Sequence, residues 1–146
     1  MAILVDTNIL VYRCDPRDPV KRDAARQVLR AGAASGTFRI AHQSLVEFMN
    51  SVIRLRTGSS PIMTREDAIR QAEWFMAEFP VIYPDEYVFR TALRGIVTYR
   101  LSWFDAHLWA YAEHNGLSEI LSEDFEHGRM YGTVTVRNPF VELGLA

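Results

Sequence analysis

Asp6, Glu47, Asp105 and Asp124 are the residues of this 146-residue sequence best suited to chemistry. Four carboxylates drawn together form an all-oxygen set. Two like charges ~5 Å apart repel by about 3 kcal/mol at an effective dielectric of about 20. Four would stay ionised together only around a cation, and Mg²⁺ or Mn²⁺ prefers such ligands. A cation held this way delivers a water of lowered pKa, and a second would stabilise the leaving oxygen of a phosphodiester. Each acid also has a plainer reading. Asp6 would cap the helix that follows it. Glu47 and Asp105 occupy the acid position of capping boxes, in Ser44-Leu45-Val46-Glu47 and Ser102-Trp103-Phe104-Asp105, and the helix dipole favours acids in any first turn. Glu123, Asp124 and Glu126 would then be a solvated acidic loop.

What separates the two readings is the set of elements that must position these acids. Ile3-Leu4-Val5 is a short apolar run that stops at Asp6, as a buried strand does, with Thr7 and Asn8 opening the next helix. Asp18-Pro19 predicts an N-cap followed by proline at the first helical position, and Gly32 or Gly36 ends that helix. Thr37 to Ala41 reads as a second strand. The Ser44–Glu47 capping box is expected to open a helix with Leu45, Phe48, Val52 and Ile53 inside. Thr57-Gly58-Ser59-Ser60-Pro61 breaks it and is expected to form a mobile loop. Helices follow from Thr64 and Asp85, with Pro80 to Tyr83 as a third strand between them. A helix from Ser102 stops at Asn115-Gly116. Glu119 to Leu121 and Thr133 to Val136 complete the strands. Short strands alternating with helices predict an α/β fold, a five-stranded parallel sheet flanked by helices, as one domain over residues 1–146. In such a sheet every strand's carboxyl end lies at one edge, where ligands bind. Asp6 and Asp124 follow strands and Glu47 and Asp105 start helices, so all four face that edge.

Composition narrows the classes. The net charge of −2 provides no bulk basic field. Of the 16 basic residues only Lys21 is lysine and 15 are arginine, which suits bidentate phosphate contacts. No apolar run approaches the ~20 residues of a membrane span, and no signal peptide is expected at the N-terminus. Cys14 is the only cysteine, so an internal disulfide is excluded, a reducing cytoplasm is expected, and Cys14 reads as a small buried hydrophobe. His42, His107, His114 and His127 show no zinc spacing. No glycine-rich phosphate loop or Gly-x-Ser-x-Gly elbow occurs. Trp74, Trp103 and Trp109 fall on helices as core residues, and Arg13, Arg54 and Arg100 read as solvated charge.

Four stretches carry a resemblance. Val5-Asp6-Thr7-Asn8-Ile9-Leu10, Ser44-Leu45-Val46-Glu47-Phe48, Trp103-Phe104-Asp105-Ala106 and Leu121-Ser122-Glu123-Asp124 resemble the PIN-domain family, and over about residues 3–140 the chain looks like a VapC-type toxin of a bacterial toxin–antitoxin pair. The resemblance implies a cytoplasmic endoribonuclease dependent on Mg²⁺ or Mn²⁺, acting on RNA, forming a homodimer and silenced by a cognate antitoxin. It matches Asp6, Glu47, Asp105 and Asp124 to the family's acidic quartet, with Asp6, Asp105 and Asp124 as metal ligands. Thr7, Asn8, Ser122 and Glu123 match supporting positions. The family often carries an aspartate where Glu126 stands, so Glu123 and Glu126 compete with Asp124 for the last place.

Two other functions are weighed against this one. A phosphatase of the haloacid dehalogenase type needs an aspartate two residues after its nucleophile, where this chain has Asn8. A PIN-like module that binds RNA or a partner without cutting would have no use for the full acidic set. For the antitoxin, an arginine pairing with the carboxylates is expected. Its amphipathic helix would lie in a groove framed by the helices from Ser44 and Thr64 and by the Thr57–Pro61 loop.

Overall fold

The computed structural model describes residues 1–145. The chain runs β1 (Ile3–Val5), α1 (Thr7–Cys14), α2 (Pro19–Ser35), β2 (Phe38–Ala41), α3 (His42–Ile53), α4 (Arg65–Glu78), β3 (Val81–Ile82), α5 (Glu86–Tyr99), α6 (Trp103–His114), β4 (Glu119–Leu121), β5 (Met130–Tyr131), β6 (Val134–Arg137) and α7 (Pro139–Glu142). The sheet order is β3-β2-β1-β4-β6-β5. The first five strands of that order pair in parallel, as expected. The sixth strand, β5, is an addition. It pairs antiparallel with β6 across a two-residue turn in which Gly132 has φ +61°. Two residues carry no periodicity, which is why the sequence pattern does not reveal it.

Strand alternation divides the interior into two cores. Ile3 and Val5 of β1, Phe38 and Ile40 of β2 and Leu121 of β4 face one side, with Leu10, Leu29, Phe48 and Phe75 of the first four helices. Leu4, Ala41 and Ile120 face the other side, with Ala92 of α5 and Leu108 and Trp109 of α6. Near-continuous apolar strands are what a sheet covered on both faces requires.

The strand order reverses direction at β1. From β1 the chain builds outward to β2 and β3, then returns to place β4 on the other flank of β1. The crevice beyond β1 and β4 is therefore the topological switch point, where open α/β sheets bind ligands.

Most helix starts follow the sequence signals. Asp18 caps α2 with Pro19 at its first position, and Gly36, in the left-handed region at φ +70°, ends it. Thr64 caps α4 and Asp85 caps α5 through their side chains. Ser102 caps α6 by accepting from the Asp105 amide. The expected Ser44 capping box is not formed. Helix α3 begins at His42, directly after β2, and its N-cap Ala41 makes no side-chain bond. Ser44 is fully buried inside the helix and its hydroxyl has no partner. Burial of Leu45, Phe48 and Val52 sets the helical register, and the turn ahead of Leu45 follows it upstream. Glu47 thus lies in the second turn rather than the first. The Thr57–Pro61 segment contains a tight turn closed by an Arg56–Ser59 bridge. Cys14 is half-buried against the first core, and burial pushes its thiol pKa up.

Helix α6, which carries Asp105, is seated by close packing on α5. Gly95 lets the helices meet: a Cβ there would lie 2.8 Å from the Trp109 ring. That ring is buried and anchored by its Nε1–H donating to the Tyr131 carbonyl at 2.9 Å. Gly95→Ala gains about 1 kcal/mol of helix propensity but forces the two helices apart, an overpacking cost of about 1–3 kcal/mol. Urea denaturation should show net destabilisation; equal or higher stability would mean the helices do not meet this closely.

Candidate active site

Strand register brings Asp6 and Ser122 side by side. Val5 pairs with Leu121, so the residues that follow them emerge together at the sheet edge. Asp6 is only 6% exposed. One carboxylate oxygen accepts from the Thr7 amide at 2.6 Å, which caps α1, and the other accepts from the Ser122 hydroxyl at 2.6 Å. Capping and pocket placement are therefore both true of Asp6. The Asn8 side-chain amide nitrogen lies between the two strand ends, 3.3 Å from Asp6 Oδ2, 3.3 Å from Ser122 Oγ and 3.0 Å from Asp124 Oδ2. Two N–H groups are shared among three acceptors, so the amide partly neutralises the carboxylates around it.

All four sequence-predicted acids line one cavity of about 550 Å³ at the switch point, together with Thr7, Asn8, Tyr12, Gln43 and Glu123. Burial pushes the Asp6 pKa up to about 7; the Ser122 hydrogen bond opposes this, and the charge of Asp124 adds to it. Glu47 is raised, first by burial and then by the fields of Asp105 and Asp124, against the Gln43 hydrogen bond. Asp105 is raised by burial and by Asp124, against its bond with Ser102. Their charges reach one another across the cavity. Among the described residues, however, no group of three or more acidic, histidine or cysteine side chains stands close enough to hold a metal ion. The acids share a cavity without forming a closed ligand cluster.

The three candidates for the last acidic place are separated by their partners. Glu123 accepts from the Tyr12 hydroxyl at 2.7 Å and pairs with Lys21 at 2.9 Å, so its charge is matched. Glu126 pairs with Arg129 on the surface and does not line the cavity. Asp124 accepts from the Asn8 amide through Oδ2 and donates its backbone N–H to Ser122 Oγ, each at 3.0 Å. Of the supporting positions, Thr7 is buried with its hydroxyl unpartnered, and Ser122 lies beneath Asp6. His107, off the cavity, stacks on Trp103 at 5.6 Å, and burial lowers its pKa.

Several lining residues escape sequence reasoning. The Gln43 amide donates to Glu47 Oε1 at 2.6 Å and to the Phe104 carbonyl at 3.0 Å, tying α3 to the start of α6. Gln43, Glu47, Ser51 and Arg54 all line the cavity. They recur at i, i+4, i+8 and i+11, one helical stripe opposite Leu45, Phe48 and Val52. That polar periodicity was available in the sequence. Asp15, Arg17 and Arg56 complete the wall. Arg13 lies elsewhere, 3.9 Å over Trp74, and Arg100 is the left-handed C-cap of α5.

A second cavity of about 590 Å³ is lined by Cys14, Arg22, Arg26, Met63 and Asp67. It adjoins the Thr57–Pro61 segment and the start of α4. Its other wall is formed by Cys14 at the end of α1 and by Arg22 and Arg26 of α2, while the buried stripe of α3 faces the core.

The model of the PIN domain family matches residues 3–132. No curated protein matches the sequence. Solved structures with the same fold include VapBC2 from Rickettsia felis bound to a DNA fragment from its promoter, with TM-score 0.69 at 15% identity over 94% of this chain and 98% of that one. A toxin–antitoxin complex from Klebsiella pneumoniae gives 0.68 at 19% identity, over 94% and 98%. VapC20 from Mycobacterium tuberculosis, a toxin that cleaves the sarcin-ricin loop, gives 0.64 at 18%, over 84% and 90%. Identities this low speak for the fold alone. The family match spans nearly the whole sheet and both strand ends that carry the acids, and by it the chain belongs to the PIN domain family.

Proposed function

We propose that this protein is an endoribonuclease dependent on Mg²⁺ or Mn²⁺, the toxin of a toxin–antitoxin pair. The observation that carries this reading is the gathering of Asp6, Glu47, Asp105 and Asp124 around one switch-point cavity, where burial and neighbouring carboxylate charge raise the pKa values of Asp6, Glu47 and Asp105. The donor set fits the ion: hard oxygen ligands whose mutual repulsion a divalent cation would relieve. Asp6, Asp105 and Asp124 would hold it. A bound ion supplies Lewis acidity and a water of lowered pKa.

The chain's own residues do the remaining work. The Gln43 amide holds Glu47 Oε1, leaving Oε2 to take a proton from an attacking water. A carboxylate with a raised pKa is the better base near neutral pH. Ser122 and the Thr7 amide fix both oxygens of Asp6. Lys21 and Tyr12 hold Glu123 aside, so that Asp124 is presented instead.

Two partners belong to this reading. The structural neighbours include complexes with antitoxins, and an antitoxin arginine would complement the carboxylate cavity here. A homodimer would cover Val46, Phe89, Leu93 and Phe104, which are 48–63% exposed. No helix of the described residues is long and apolar enough to cross a membrane.

Asp6→Asn tests the metal role. Asparagine caps a helix about as well as aspartate, and its amide can still meet Ser122. RNA cleavage with Mn²⁺ should fall at least a hundredfold, as it should for Asp105→Asn. Retained cleavage in Asp6→Asn would sink the assignment. The same variant tests the pKa. Between about pH 4 and 7 the unfolded chain's aspartate is ionised while the folded Asp6 keeps its proton. The wild type without metal should therefore lose stability as pH rises through that window, by on the order of a few kcal/mol. In Asp6→Asn this component should vanish from the pH profile of thermal unfolding.

Glu47→Gln tests the base. Glu47 lies beyond the first turn and does not cap α3, so the change should leave folding intact. Turnover should drop while Mn²⁺ affinity weakens modestly through the lost charge. Unchanged turnover in single-turnover cleavage would return Glu47 to a structural role.

A further inference from the structure

The cavity carries a second charge pattern that the acidic centre does not explain. Arg17, Arg54 and Arg56 line the same wall. Arg17 is spent on Asp15, gripping both carboxylate oxygens at 2.8 and 2.7 Å. That grip is the main reason the Asp15 pKa is held below the usual carboxylate range, with Arg56 adding to it through its field. Arg54 is exposed and enters none of the ion pairs among the described residues. Arg56 makes one long bond, 3.4 Å to the Ser51 carbonyl, and its Nε is buried with no partner. A buried guanidinium N–H without an acceptor is costly unless a ligand supplies one.

The placement of these two side chains is not arbitrary. Arg54 ends the α3 stripe that contains Glu47, seven residues or about 10 Å along the helix axis. The cavity therefore has an acidic end over the switch point and a guanidinium end beside Asp15. A polyanion approaching the acids alone would be repelled.

We propose that Arg54 and Arg56 form a phosphate-binding subsite, which holds a backbone phosphate of the RNA next to the one being cleaved. This inference rests on the ribonuclease reading. Guanidinium groups suit it because they present forked donors to phosphate oxygens and stay charged. With a neighbouring phosphate held there, the strand runs along the polar stripe of α3 and the scissile group reaches Glu47 and the acids. Arg54 and Arg56 are binding residues in this scheme and take no part in proton transfer.

The test uses the full chain and a fluorescein-labelled single-stranded oligoribonucleotide of mixed sequence. Binding is read by anisotropy in EDTA, where no cleavage occurs, across a salt titration. Loss of one charge-assisted phosphate contact should weaken binding about tenfold and flatten the log Kd against log salt slope by roughly 0.7. Arg54→Ala and Arg56→Ala should each do this, and Arg54→Lys should restore the slope. In Mn²⁺, both alanine variants should raise KM with little change in kcat. Arg90→Ala, on remote α5, is the control and should match wild type. Because Arg56 is partly buried, exposed Arg54 carries the test if Arg56→Ala fails to fold. If wild type binds RNA and both alanine variants bind with the same affinity and slope, the subsite is overturned while the nuclease reading stands. If wild type neither binds nor cleaves RNA, that reading falls and takes the subsite with it.

Discussion

Burying Asp6 is the constraint around which the centre of this molecule is arranged. A carboxylate at 6% exposure loses most of its hydration, and an uncompensated buried charge is expensive. The compensation comes from both sides of the switch point. Thr7 and Asn8 belong to the chain leaving β1, and Ser122 to the chain leaving β4. The pairing of these two strands and the ionisation of one side chain are thus coupled. A one-residue slip of β4 would turn Ser122 to the other face and leave Asp6 without its hydroxyl donor. The compensation is also incomplete, since burial still outweighs it and the proton is held to about pH 7.

Charges around the cavity are sorted by partner. Six carboxylates line it: Asp6, Asp15, Glu47, Asp105, Glu123 and Asp124. Arg17 matches Asp15, and Lys21 matches Glu123. The other four have hydrogen bonds but no cation, and they are the four over the switch point. Asp124 contributes to the raised pKa of each of the other three. It is itself exposed, so water pays for its charge while its field acts inward. A cation entering between one exposed charge and three less exposed carboxylates would favour the ionised form of all three.

Much of this was legible from sequence because it depends on local chemistry. The abrupt change from Val5 to Asp6, the Asp18-Pro19 start and the Ser102 cap each encode their element without tertiary help. Parallel topology then follows from strand and helix alternation. The Ser44 signal misled because a capping pattern cannot tell whether its serine is at a helix end or buried one turn inside. Strand β5 was hidden by its length. The different partners of Glu123, Asp124 and Glu126 were also beyond the pattern, because they are Lys21, Tyr12, Asn8 and Arg129, three of them distant in sequence or on another element.

The polar stripe of α3 shows where pattern gives way to geometry. Gln43, Glu47, Ser51 and Arg54 would line one face of an amphipathic helix in any fold, and such a face ordinarily meets solvent. Here no loop intervenes between β2 and α3, just as Asp6 alone separates β1 from α1. Because Ile40 pairs with Val5, the direction in which α3 leaves the sheet is tied to the direction in which α1 leaves it. The stripe is therefore aimed along the crevice by strand register, before any contact between Glu47 and the other acids is considered. The bonds from Gln43 to Glu47 and to the Phe104 carbonyl then fix its distance from α6. A face that looks like ordinary solvated surface in the sequence becomes a cavity wall because two strand-to-helix junctions leave it no freedom to turn elsewhere.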